Sequence, residues 1–142
     1  MADQFFSRDL SWLSFNQRVL QEASHPGVPL ANRFVFLSIF SSNLDEWYRV
    51  RMPVLNAKQQ YAIDRPNSKY DLSASISEFD EVRQRINSYQ EQFGHILTEQ
   101  LIPELAQQGI LLLYKRSIPE ELNEAIDEYF FTTILPFCRL LL

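Results

Sequence analysis

Phe79-Asp80-Glu81-Val82-Arg83-Gln84-Arg85-Ile86-Asn87-Ser88-Tyr89-Gln90-Glu91-Gln92-Phe93-Gly94-His95-Ile96 carries Phe79, Val82, Ile86, Tyr89, Phe93 and Ile96 at alternating steps of three and four. Residues three and four apart lie on one helical face, so the spacing predicts a long helix whose apolar seam packs nearly antiparallel on its neighbours. Such a seam normally lies in a core; left without a partner it would invite dimerisation. Ser75, with Glu78 three residues on, reads as the capping box that opens this helix, and residues 64–75 before it read as a polar loop. Downstream, Pro103 kinks or restarts the helix and Gly109 suits a C-cap. The short apolar run Ile110-Leu111-Leu112-Leu113-Tyr114 reads as one strand, and Ser117, with Pro119 and Glu120 behind it, starts a last helix to about Ile134.

Upstream, Ser11 is a good N-cap for a first helix with Trp12, Phe15 and Val19 on its apolar side, ending near Ala23 or Ser24. Phe5, Phe6, Trp12 and Phe15 read as an aromatic cluster in the core. His25-Pro26-Gly27-Val28-Pro29 must break the helix, and Pro29 suits the first turn of the next. A second helix is expected over residues 30–41, with a third from Asn43 to the neighbourhood of Pro53, which ends or kinks it.

Between those two lies Ser41-Ser42-Asn43-Leu44-Asp45-Glu46-Trp47, where three short polar residues sit inside an amphipathic pattern rich in aromatics. Helical spacing through Phe36, Phe40, Asn43, Trp47 and Val50 puts the Asn43 amide on an apolar stripe, where a carboxamide without a partner is costly to bury. Two partners offer themselves. Asn43 could N-cap the third helix, with Glu46 closing a capping box. Alternatively its amide, donor and acceptor together, faces a pocket and reads the polar edge of a ligand. In the first turn of a helix Asp45 and Glu46 would repel an anion, which favours a neutral ring over phosphate. Asp45 also stands four before Arg49 as an ion-pair partner, and Arg49 and Arg51 read as surface charges.

The 142 residues suit one ordinary domain, and 46% hydrophobic with 13% aromatic residues can fill a core. Of the 18 acidic residues 13 follow position 60, within a net charge of −5, so no basic stripe for nucleic acid exists and phosphate polymers are disfavoured. No signal peptide or membrane span is evident, and the chain reads as cytoplasmic. The lone Cys138 excludes an internal disulfide and reads as a buried or incidental thiol. His25 and His95 share no carboxylate at metal-ligand spacing and read as surface or capping residues; no Gly-rich loop before a Lys is present, and no metal site is expected here.

Arg8-Asp9-Leu10-Ser11-Trp12-Leu13-Ser14-Phe15-Asn16-Gln17-Arg18-Val19-Leu20-Gln21-Glu22-Ala23, then Val28-Pro29-Leu30 and Phe40-Ser41-Ser42-Asn43-Leu44-Asp45-Glu46, resembles the amino-terminal domain of the bacterial polyphosphate kinases of the first type. Residues 110–136 resemble the opening of the head domain that follows. The resemblance implies an all-α antiparallel bundle over residues 1–108, then one strand and one helix of an incomplete α/β head domain over 109–142. It implies an ATP:polyphosphate phosphotransferase working through a phosphohistidine with magnesium, in a homo-oligomeric complete enzyme. The catalytic histidines of such enzymes lie beyond the region matched here, so this segment is expected to be inactive alone, to bind no magnesium, and to meet polyphosphate only through other domains. What the resemblance assigns here is a helical lid over ATP, with Asn43 contributing to its binding. After Ile134-Leu135-Pro136 the relatives continue, and the chain reads as a fragment. A free-standing helical bundle that binds a protein partner through the long seam or the apolar tail is the competing reading.

Overall fold

The computed structural model describes residues 6–66 and 72–138, which fall into two compact units, residues 1–110 and 111–142. In the first unit α1 (Arg8–Ser24), α2 (Leu30–Ile63) and α3 (Ser73–His95) pack on one another, and a π-helical turn (Ile96–Leu101) leads into α4 (Ile102–Gln107). The expected seam is the core of this unit. Phe79, Val82, Ile86, Tyr89 and Ile96 are buried and Phe93 is half-buried. The next buried residue, Leu101, stands five positions after Ile96 and is fully enclosed; the wider π turn absorbs that step and keeps Leu101 on the seam. Enclosing one such leucine is worth about 1.5–3 kcal/mol. Beyond Pro103 the helix closes as a Schellman motif. Gly109 (φ +78°) donates to the Ala106 carbonyl at 3.0 Å, and Ile110 donates to Leu105 at 2.9 Å.

Two helix starts and the buried face of α1 differ from expectation. Helix α1 begins at Arg8, one turn before Ser11. Ser7 is its N-cap: the Ser7 hydroxyl accepts the Leu10 N–H at 3.3 Å and donates to Glu78 on α3. Glu78 therefore serves a neighbouring helix rather than a capping box with Ser75, which already lies inside α3. The buried face of α1 is Asp9, Leu13, Asn16, Leu20 and Ala23, again at steps of four and three, one position round from the expected face. Phe6 and Phe15 are exposed and only Trp12 packs on the core, so the expected aromatic cluster does not form; its fourth member, Phe5, lies outside the described residues.

The largest correction is α2. It is one helix of 34 residues, running through Ser41-Ser42-Asn43 and through Pro53. Ser41 and Ser42 face solvent, so their hydroxyls need no protein partner. Pro53 withholds an N–H from the carbonyl of Arg49, but both residues are exposed, where water can satisfy that carbonyl. The buried residues Arg33, Leu37, Phe40, Leu44 and Trp47, with Leu55 beyond Pro53, hold the helix together across both interruptions. Arg33, 3% exposed, donates to the Ala23 carbonyl at 2.8 Å, to Gln100 at 3.0 Å and to both Glu104 oxygens at 2.7 Å, tying the end of α1 to the π turn and α4. The start and end of the expected 64–75 loop are described, but residues 67–71 lie outside the described residues.

Residues 110–114, at the boundary between the two units, form no strand, nor is there a strand elsewhere among the described residues. Ile110 is instead engaged by the preceding helix cap, and a lone apolar run without a neighbouring strand has nothing to pair its backbone. The last helix is present, though in pieces: a 3-10 turn (Glu120–Leu122) after Pro119, α5 (Asn123–Tyr129), a π turn (Phe130–Ile134) and a 3-10 turn to Phe137. Cys138 is exposed rather than buried, and the tail 139–142 lies outside the described residues.

Candidate functional site

Antiparallel packing of α1 on α2 brings Arg8, Asp9 and Trp12 opposite Asn43, Glu46, Trp47, Val50 and Arg51, and these line a cleft of about 430 Å³. The α2 positions recur at steps of three, one, three and one, a single helical face. Trp12 and Trp47 stack across the two helices at 5.7 Å between centroids and 16° between planes, giving the cleft an aromatic wall.

Beside that wall sits a closed ion pair. Arg51 Nε and Nη2 donate to Oδ1 and Oδ2 of Asp9 at 2.7 and 2.8 Å, and Asp9 is 4% exposed. The guanidinium holds the Asp9 carboxyl below its usual range, its hydrogen bond outweighing the cost of burial, and the carboxylate in turn raises the Arg51 pKa. Arg51 is thus a cross-helix anchor, not the surface charge expected of it. Arg49, two residues away, does pair at the surface with Asp45 as expected. With Arg8 and Glu46 also in the lining, beside Asp9 and Arg51, positive and negative side chains balance, and the cleft is not built as an anion hole.

Asn43 lies mid-helix on the rim of this cleft, half-buried, so it caps nothing, and Asp45 and Glu46 serve no helix dipole. Its partner comes from α1. Asn43 Nδ2 donates to Asn16 Oδ1 at 3.1 Å, and Asn16, fully enclosed, donates through Nδ2 to the Phe40 carbonyl at 3.1 Å. The Asn43 Oδ1 and second N–H have no partner among the described residues.

The histidines stay outside the site. His25 caps the end of α1, and its Nδ1 accepts the Gly27 N–H at 3.1 Å; a Cβ on Gly27 would stand 2.9 Å from that ring. His95 is exposed. Among the described residues no three His, Cys, Asp or Glu side chains converge as a metal would require, and no helix is long and apolar enough to cross a membrane. Asp9, Asn16, Arg51 and Arg8 were all missed as site residues by sequence reasoning. The first two were detectable as polar residues in the four-three spacing through Leu13 and Leu20. Nothing local in the sequence joins Asp9 to Arg51.

Comparison with known proteins fixes the family. The family model described as polyphosphate kinase N-terminal domain matches residues 5–113. The chain belongs to the polyphosphate kinase N-terminal domain family. Polyphosphate kinase of Vibrio vulnificus (strain YJ016) is 38% identical over 136 residues, and that of Campylobacter jejuni subsp. doylei 32% over 134. Each alignment covers about 95% or 94% of this chain but 19% of the relative, so the chain spans about a fifth of the length of those polyphosphate kinases. The crystal structure of polyphosphate kinase from Porphyromonas gingivalis superposes with a TM-score of 0.73 at 33% identity, over 96% of this chain and 19% of that one. Arg8, Asp9, Asn16, Asn43 and Arg51 all fall inside the segment matched by the polyphosphate kinase N-terminal domain.

Proposed function

We propose that this domain serves an enzyme that moves the terminal phosphate of ATP reversibly onto polyphosphate, and that its cleft takes the nucleoside end of ATP through Asn43. The observation that carries the reading is the free edge of the Asn43 amide, an acceptor beside a donor, at the rim of a charge-balanced cleft walled by two tryptophans. A carboxamide edge suits a neutral base, and a cleft whose cations are matched by carboxylates leaves the triphosphate to other parts of the enzyme. Residues 109–142 open the head domain in this reading. The transferring histidine, the magnesium ligands and the polyphosphate channel belong in this reading to other domains of the enzyme, which in its complete form is a homo-oligomer. A cytoplasmic setting follows from the substrates.

In the complete enzyme Asn43→Ala is expected to raise KM for ATP roughly two- to tenfold, the worth of one or two hydrogen bonds, with kcat little changed. Steady-state kinetics at saturating polyphosphate measures this, and an unchanged KM overturns the assignment. The 142-residue chain alone is expected to show no phosphotransfer and at most weak ATP heat in calorimetric titration, because half a site makes few simultaneous contacts. The competing protein-binding module loses its main support, since the seam of α3 is already buried within its own unit.

A further inference from the structure

We infer that Asn16, which does not line the cleft, sets which purines the cleft accepts, by fixing the orientation of the Asn43 amide. This rests on the cleft being a nucleoside site and adds the basis of its selectivity.

The chain of donors ends on a group that can only accept. Phe40 O is a main-chain carbonyl, so Asn16 must turn its Nδ2 toward it, and the two are 3.1 Å apart. Asn16 Oδ1 then has only acceptance to offer, and Asn43 must meet it with Nδ2, again at 3.1 Å. Rotating the Asn43 amide by half a turn would set its oxygen against Asn16 Oδ1. Rotating both amides would set Asn16 Oδ1 against Phe40 O. Asn16 is fully enclosed, with no water to repair either mismatch. Among two-amide arrangements only one polarity survives, and it fixes which atom of Asn43 is oxygen.

That matters for a purine. A 6-aminopurine offers a donor at position 6 beside an acceptor at ring nitrogen 1; a 6-oxopurine offers the reverse order, acceptor at position 6 and donor at nitrogen 1. A freely turning amide could match either by flipping. A clamped one matches one order in a given base pose, and the mismatched base leaves buried polar groups facing like with like. Asn16 is therefore a positioning residue for discrimination between amino and oxo purines.

The test compares kcat/KM for ATP and for inosine triphosphate, which differ at position 6, in the complete enzyme and its variants. Asn16→Ala frees the Asn43 amide and should lower the ATP-to-ITP ratio about two- to tenfold, chiefly by improving ITP relative to ATP. Loss of folded enzyme would lower both rates together and leave the ratio unmoved, so the ratio isolates orientation from structure. Asn43→Ala, at a half-buried position that spares the core, should lower the same ratio and keeps the test available if the Asn16 variant does not fold. A raised KM for ATP in Asn43→Ala with an unchanged ratio in the variants overturns the clamp alone. An unchanged KM for ATP in Asn43→Ala overturns the nucleoside site and the clamp with it.

Discussion

Replacing Asp9 with Asn is expected to destabilise the 142-residue chain by about 3 kcal/mol, the lower end of what losing one partner of a buried ion pair costs. The lower end applies because the Arg51 side chain is 20% exposed, so water can partly solvate the abandoned guanidinium, whereas the Asp9 side chain is 5% exposed. Asn keeps the shape and one acceptor but removes the charge that both Arg51 donors meet. Urea titration should show a lower midpoint with an unchanged slope. A loss below about 1 kcal/mol, the range of a surface pair, would mean that the two side chains do not hold α1 to α2.

The same pair fixes a pH signature. Asp9 titrates below its ordinary value of 3.8 in the folded chain, chiefly through the Arg51 hydrogen bond. Between the folded and unfolded pKa values the unfolded chain binds more protons at this site, so stability rises with pH there. The contribution is fully present above about pH 5 and is lost as pH falls through 3.8 toward and past the folded value. Unfolding free energy measured against pH should therefore fall less steeply on the acid side in Asp9→Asn than in the parent. Equal acid slopes would place the depressed carboxylate elsewhere.

How much of this was legible in the sequence varies with the reach of the interaction. The α3 seam could be read because Phe79, Val82, Ile86, Tyr89 and Ile96 repeat within one helix and every position on the buried face is apolar. The α1 face was misplaced by one position because Asp9 and Asn16 occupy buried slots, and a pattern read by hydrophobicity passes over them. Their partners stand on α2, so only tertiary structure shows that their burial is satisfied. The α2 helix was cut in two because Ser, Asn and Pro are weak or poor helix residues. Burial of Phe40, Leu44 and Trp47 outweighed that local preference, and the hydroxyls and the proline fell on the wet side. The strand failed for a different reason. Apolar residues in a short run say that something must cover them, not that a second strand lies alongside.

Asn43 stands out in the sequence on physical grounds that hold in the structure. An amide on an apolar stripe needs a partner, and here the partner is neither a helix end nor a ligand but a second amide on α1.

Phe40→Ala is expected to destabilise the chain by about 3–5 kcal/mol, the range for emptying an aromatic core position. Phe40 is 2% exposed, stacks on Phe93 at 5.9 Å and 26°, and stands where α1, α2 and α3 meet, so little is free to collapse into the space it leaves. Its main-chain carbonyl also orients Asn16, which couples packing to the cleft through the backbone and not through the ring. Phe40→Leu separates the two. Leucine keeps the helix, the carbonyl and much of the apolar volume, so stability should fall by a distinctly smaller amount while KM for ATP and the ATP-to-ITP ratio in the complete enzyme stay at parental values. If Phe40→Leu shifted the ratio as far as Asn16→Ala does, the orientation of Asn43 would depend on the aromatic packing around it, and the two-amide relay could not be its sole determinant.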